Sequence, residues 1–562
     1  MRRCARLVGV PLAILLAIGS LATSAIAKQK KDNPKTRLLE GTVRLVPTGD
    51  EPTSVAGLGS YLGPIELTPA TDGIVVANRL PLERYLLGLA EVPPDWPAQT
   101  LEAQAIAART YALNTLARPP AGAAATYGFD ICASVECQVF SGAEVLQQPD
   151  GHRWAEAVSA TAGQAILYQG EPILARYHSV SGGRTFDNEQ IFTSESSYPY
   201  LKGVSSPTED ASPLDRWGVI FTLKDLQRII ERRGLWTGGK GRLESVRSVA
   251  SSEGFHYPDV LFSGTKGRAR MTAEELRTIV RDLAPELFPG KYPSLTLTGR
   301  LPETFPSNRL VMSTVDGTVR VDGRGWGHGV GMSQWGAHGL ALAGASAGEI
   351  LGHYYTDVSL GRVEDPGTLD VGIDWGRVSL EVTGAFEIVD ASGDTVVRAS
   401  VGRWGFRWNA AGSLSVTPPR GSDRPLSVRL LRSPAAVEVG EAAFLTIALS
   451  RPARVTPITI DDETSDEPGT VRDAGRARVT WLAPLEPGSY SVHIEASSGS
   501  ETERSEPVEI TVTGATPDAG DQGVEAATEE KPDPPGAPWG LLLFALVFAA
   551  LGVFAATSTI RK

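Results

Sequence analysis

Residues 86–113 read LLGLAEVPPDWPAQTLEAQAIAARTYAL, and the pattern changes twice within that stretch. An apolar run, the end of a helix expected over Leu82–Ala90, closes on a single carboxylate, Glu91. Pro93, Pro94 and Pro97 then break the helical period. It returns from Thr100 to Leu116, with Leu101, Ala105, Ile106, Ala112, Leu113 and Leu116 on one side. Arg109 falls on that side too, so its guanidinium is aimed at the core or a cleft and needs an anionic partner. Glu91, beside prolines and near Trp96, loses solvation, and desolvation raises a carboxyl pKa toward the range of a general acid. A glutamate that only caps a loop is the other reading, and both stand at this point.

On either side the chain alternates between strand and helix signals, which makes the fold class α+β. Residues 28–36 form a polar leader, and TRLLEGTVRLVPTGD and SYLGPIELTP read as short strands between turns. QAILYQG and PILARYHSV read as strands before the turn SGGRTFD. LKDLQRIIERRG and TAEELRTIVRDLAPEL are helical patterns in a packed helical subdomain over about 215–300. Thr272 with Glu275, and Ser346 with Glu349, have capping-box spacing. The main domain is expected over 37–362, a small β-rich domain over 367–419 and an immunoglobulin-like sandwich over 425–513. Residues 514–537, with little to bury, are expected to be a flexible stalk.

The two ends place the chain. Residues 1–27 have a cationic start, an apolar stretch and small residues at Ala25 and Ala27, as a cleaved secretion signal does. Residues 539–560 hold LLLFALVFAALGVFAA before Arg561 and Lys562, a single membrane span that leaves the bulk of the chain on the extracytoplasmic side. Loss of the signal removes Cys4 and leaves Cys132 and Cys137, which on the oxidising side of a membrane are expected to pair. A net charge of −12 offers no basic footprint, so nucleic acid is not an expected partner.

Residues 324–335 read RGWGHGVGMSQW. Gly325, Gly327, Gly329 and Gly331 alternate, which is not the G-x-G-x-x-G frame of a dinucleotide loop. Backbone without side chains brings Trp326, His328, Gln334 and Trp335 close to a ligand, and indole faces beside imidazole and amide suit a sugar polymer. A tight turn packed on aromatic core is the alternative. His178 and Ser181 invite comparison with a hydrolase triad, but no nucleophile elbow accompanies them.

Four stretches, LPLERYLLGLAEVPPDWPAQTLEAQAIAARTYAL, YHSVSGGRTFDN, YPYLKGV and GRGWGHGVGMSQWGAHGLALAGASAGEILGHYYTDV, occur in this order between about residues 60 and 362. Together they resemble the SpoIID/LytB family, named for stage II sporulation protein D and an amidase enhancer. The resemblance implies a SpoIID-type catalytic domain. It also implies a lytic transglycosylase that cleaves peptidoglycan glycan strands after N-acetylmuramic acid and leaves 1,6-anhydro ends. Glu91 matches the catalytic glutamate, and one carboxylate suffices because the sugar's own C6 hydroxyl replaces the water that ordinary glycosidases activate with a second.

Arg109, Tyr177, Tyr200, Lys202 and Tyr355 match positions that support activity or hold substrate in the family. Arg109 is either a structural ion pair or an active-site clamp, with the clamp expected. His178, Ser181, Gly182 and Gly183 are expected in a second substrate-lining turn. Some members hold zinc at the place of YGFDICASVECQ, where this chain has Tyr127 and Glu136 instead of histidines. Two thiolates alone make a poor closed zinc site, so a disulfide and no cofactor are expected, with zinc as the alternative. The enhancer branch supplies the competing reading: a non-catalytic protein that binds wall glycan or activates a partner amidase.

Overall fold

The computed structural model describes residues 36–252, 257–293, 301–409, 412–419, 426–459, 469–498 and 501–514. The expected signal segment, the stalk from 515 onward and the expected membrane helix 539–560 lie outside the described residues. Among the described residues no helix is long and apolar enough to cross a membrane. The described chain forms two units, one of residues 36–78 with 373–514 and one of residues 79–372.

Period-two burial builds the first unit. In Val43–Pro47 and Ile65–Pro69 the side chains of Val43, Leu45, Ile65 and Leu67 are buried while their neighbours are not. Strands face-selected in this way pair across long loops. Arg37–Glu40 lies antiparallel to Ser413–Thr417, and Val43–Pro47 to Ser379–Asp390, in one sheet with Thr395–Asn409. The sequence pattern separates 37–78 from 367–419, whereas the structure joins their strands. Local alternation carries no information about which distant strand is the partner.

Residues 426–514 form two further sheets. Val428–Arg432, Ala442–Leu449 and Gly475–Leu482 make one; Ala436–Glu438, Val508–Thr513, Gly488–Ser498, Ala453–Thr459 and Thr470–Arg472 make the other, with Glu501–Arg504 paired to Gly488–Ser498. Leu445, Ile447, Val479 and Trp481 meet Val455, Val492, Ile494 and Ile510 in one apolar core. Each aliphatic side chain buried this way contributes ~1.5–3 kcal/mol.

The second unit is organised around the helix Ala98–Leu116, which starts directly after Pro97. Its burial is not one-sided as the periodicity predicts: the whole run from Ala103 to Thr110 is buried. The physical reason is its alanine content, which lets the helices Gly151–Ala160, Gln334–Leu342 and Ala347–Tyr354 pack closely on different sides. The region expected to be helical over 215–300 is mixed. Helices Leu223–Arg232 and Ala273–Leu287 pack with the sheet of Leu243–Val249, Asp259–Gly264 and Arg268–Thr272. The short strands around 243–272 lack the alternation that would reveal them; Leu243–Val249, for example, buries only Leu243 and Val246 fully. Both expected capping boxes are present, Thr272 with Glu275 and Ser346 with Glu349.

Candidate functional site

The helix Leu82–Leu87 ends at Gly88, where a Cβ would lie 2.3 Å from the ring of Phe140. This close approach lets residues 88–90 run beside 139–141: the Ala90 N–H donates to the Val139 carbonyl at 2.9 Å and the Ser141 N–H to Gly88 at 2.8 Å. Glu91 is thereby delivered to the Val139 amide, whose N–H donates to its Oε1 at 2.7 Å. The Tyr177 hydroxyl donates to the same oxygen at 2.9 Å. Oε1 is thus engaged by two donors.

Tyr177 stands on the short strand Tyr177–His178, parallel to Met332–Ser333. That pairing puts the next residue, Gln334, at the start of the helix Gln334–Leu342 and within reach of the Glu91 carboxylate. Gly331 permits the approach. Its φ is +71° and a Cβ there would lie 2.0 Å from the Arg176 carbonyl oxygen. Gly327 does the same one turn earlier, with φ +100° and the His178 Cβ 2.9 Å away.

Burial drives the Glu91 carboxyl up to about 7, against the lowering influence of the Val139 N–H, the Tyr177 hydroxyl and the Gln334 amide. Tyr177 is itself held by Gln138, whose Nε2 donates to the Tyr177 oxygen at 2.8 Å, while the Gln138 Oε1 accepts from the Tyr85 hydroxyl at 3.0 Å. Because the amide fills the acceptor side of the Tyr177 hydroxyl, that hydroxyl's proton is directed to Glu91. Burial and the Glu91 charge push the Tyr177 phenol well above its ordinary range, so it stays a donor.

Glu209 is a second buried carboxylate, with a different environment. Its Oε1 accepts from the Ser181 N–H (3.1 Å) and the hydroxyls of Ser206 (2.8 Å) and Ser333, and its Oε2 from the Gly183 N–H (3.0 Å). Burial pushes its pKa up, but the hydroxyls of Ser333, Ser181 and Ser206 and the nearby His178 outweigh that and hold it below the usual value. The turn Ser181–Gly182–Gly183, expected to line substrate, is bound to Glu209 and lies against the glycine-rich loop at Arg324 and Gly325. His178 is buried, with Nδ1 on the Val330 carbonyl at 3.1 Å, and burial lowers its pKa to about 4. The His328 ring lies 5.4 Å from it at a tilt of 54°, and its Nδ1 accepts the Val330 N–H at 3.0 Å.

Arg109 does not form the expected clamp. Its Nε and Nη2 donate to the two carboxylate oxygens of Glu83, each at 2.7 Å, and its remaining reach goes to Thr161 and to the carbonyls of Val158 and Gln164. Fully buried in an alanine-lined helix, it requires this bidentate partner. Lys202 is paired with Glu189 at 2.6 Å and lies 3.7 Å from Asp187. The Tyr200 hydroxyl accepts from the Leu174 N–H at 3.3 Å, and its ring contacts Tyr168 and Tyr198. Tyr355 is a core residue: it is fully buried and donates to the Arg176 carbonyl at 2.8 Å. The Trp326 indole N–H donates to Glu303 at 3.2 Å. Trp335 sits edge-on to Trp96, centroids 4.9 Å apart, with His338 4.6 Å from Trp96.

Cys132 and Cys137 are joined by a disulfide with Cα atoms 5.5 Å apart. It closes the loop that leads into Gln138 and Val139, both of which serve the Glu91 cluster. Sequence reasoning missed Tyr85, Gln138 and Glu209. Tyr85 is the sixth residue of the first motif, whereas nothing local distinguishes Gln138 or Glu209.

Fold and site together define an α+β protein whose candidate centre is one carboxyl group of raised pKa beside the end of a glycine-rich loop. The SpoIID family model, described as Stage II sporulation protein, matches residues 70–168 and so includes Glu91, Gln138 and Val139. An uncharacterized protein of Brachyspira hyodysenteriae is 29% identical over 325 residues, covering 57% of this chain and 74% of its own length. The stage II sporulation protein D of Bacillus amyloliquefaciens is 28% identical over 301 residues, 51% of this chain and 76% of that one. The amidase enhancer of Bacillus subtilis is 26% identical over 295 residues, 48% of this chain and 39% of that one. Residues 70–168 thus match the SpoIID domain, and the chain as a whole is similar to members of the SpoIID/LytB family.

Proposed function

We propose that this protein acts in the cell wall as a lytic transglycosylase on peptidoglycan glycan strands, with Glu91 as its acid and base. The observation that carries this reading is a buried carboxyl poised at about 7, with its Oε1 held by Val139 and Tyr177 and the Gln334 amide beside it. Near neutral pH such a group exists in both protonation states, which general acid–base catalysis by one residue requires. Protonated Glu91 gives its proton to the glycosidic oxygen as the C1–O bond of the muramyl residue breaks. The C6 hydroxyl oxygen then bonds to C1, and its proton goes to the carboxylate, which restores the acid and consumes no water. The Tyr177 hydroxyl, aimed by Gln138, keeps the carboxylate in one orientation through both transfers.

The apolar segment 539–560 anchors the chain, with the two described units on the extracytoplasmic side near the wall. No metal or organic cofactor takes part in this scheme.

Purified protein incubated with peptide-free and peptide-bearing glycan strands tests it, with anhydro ends read by mass spectrometry. Those ends are expected from the wild type. Glu91→Gln is expected to lower their formation by at least ~10³-fold while glycan binding is retained and melting is not lowered, since the shape is kept and proton donation is lost. The likeness to an amidase enhancer supports a second reading, a non-catalytic activator of a wall amidase. Absence of anhydro ends together with acceleration of an added amidase would establish that reading instead.

A further inference from the structure

The three strands Val428–Arg432, Ala442–Leu449 and Gly475–Leu482 hold four arginines and no acidic residue, in a chain whose net charge is −12. The register puts all four arginines on one face. Arg429 and Arg476 flank Ala448, and Arg432 and Arg478 flank Thr446. The opposite face is the apolar core, so the arginines point to solvent, and all four are exposed. With strands ~4.8 Å apart and ~3.3 Å per residue, they occupy a patch of roughly 10 by 7 Å. Among the described residues none of the four forms an ion pair. Like charges this close repel each other inside one Debye length, ~8 Å, so the patch is unfavourable until an anion covers it.

Two large apolar side chains share the face. Phe444 pairs with Thr480 and Leu482 with Ala442, and they are 61% and 57% exposed. A soluble polyanion has use for the arginines alone. A bilayer surface takes both, with headgroup phosphates on the guanidinium groups and the phenyl and isobutyl groups at the acyl boundary. The chain length agrees: between Gly514 and the apolar segment 539–560 lie 24 residues, which even fully extended span no more than ~80 Å.

We propose that this arginine-rich sheet face docks on anionic lipid headgroups of the membrane that anchors the chain. The inference rests on the anchor reading of 539–560 and is independent of the Glu91 chemistry. The test is arginine modification by phenylglyoxal, read residue by residue by mass spectrometry. It is made on the full chain in nanodiscs of phosphatidylcholine alone or with about one-third phosphatidylglycerol.

Arg429, Arg432, Arg476 and Arg478 are expected to react at least ~5-fold more slowly in the anionic discs, with Arg268 unchanged. Protection should disappear in 1 M salt, where the Debye length falls to ~3 Å. Equal rates in the two discs would overturn the proposal. So would protection that appears in neutral discs on adding soluble polyphosphate but not with phosphatidylglycerol, which would assign the face to a soluble polyanion. Failure of the chain to stay with neutral discs overturns the anchor alone. The same labelling on chain mixed with vesicles of the two compositions then decides the face.

Discussion

Glu91 and Glu209 are two carboxylates withdrawn from water in the same unit, and they end at opposite chemical states. Glu209 collects four donors, two backbone N–H groups and two serine hydroxyls, and remains ionised. Glu91 receives fewer, the Val139 N–H and the Tyr177 hydroxyl on one oxygen with the Gln334 amide beside them, and rises to about 7. Burial penalises charge at both; the donor count decides which one keeps its proton near neutrality. A buried carboxylate with saturated oxygens holds loops together, and one left short of donors is available for chemistry. Arg109 with Glu83 is a third solution, in which a bidentate cation satisfies the charge.

The largest effect on stability is expected where a charge would be stranded. Arg109→Met removes the partner of Glu83 from a fully buried setting, and melting should fall by ~3–5 kcal/mol, together with activity. Lost activity at unchanged melting would return Arg109 to the role of a clamp.

The comparison itself is broken or kept by two Gln substitutions read by denaturation against pH. Glu209→Gln should cost ~2–3 kcal/mol at pH 7, because two backbone N–H groups and two hydroxyls lose a charged acceptor. A carboxyl held low contributes stability above its unfolded pKa and loses it as pH falls, so the deficit of the variant should shrink in acid. Glu91→Gln should do the reverse. The folded state binds the Glu91 proton more tightly than the unfolded state, so wild-type stability declines between about 4.5 and about 7. The variant, which has no such decline, should gain ~1–3 kcal/mol over wild type at pH 8 and nothing at pH 4. Parallel pH profiles for the two variants would refute the distinction.

The smallest effect sharpens the distinction. Gln138→Leu frees the Tyr177 hydroxyl to turn away from Glu91, which removes a hydrogen bond that favours the carboxylate. The rate of anhydro-end formation is expected to fall ~10-fold, and its high-pH limb to move upward from about 7. A drop in rate with an unmoved limb would make Gln138 a packing residue only.

Much of this centre was legible in advance. Glu91 stands out because an apolar run stops on a carboxylate before three prolines, and local desolvation follows from local sequence. The alternating glycines announce a loop that approaches other backbone, and Gly327 and Gly331 do so beside His178 and Arg176. The capping boxes were readable because both partners lie three residues apart. Other features were not legible for the opposite reason. Glu83 lies 26 residues from Arg109, and Gln138 lies 39 from Tyr177. Ser181, Gly182 and Gly183 looked like a substrate turn because the carboxylate that binds them belongs to a featureless loop. Tyr355, near the end of a recognisable motif, proved to be core.

By itself the sequence determined many of the elements and singled out Glu91: helix starts, strand faces, the glycine loop, the two cysteines able to pair and the resemblance to a family. Those are consequences of spacing within one or two turns of chain. Only the tertiary structure decided which strands share a sheet, which anion satisfies Arg109, and which of two buried glutamates lacks donors. Each of these is a choice among distant partners, and a pKa is set by the sum of the groups that arrive around a carboxylate, wherever in the chain they come from.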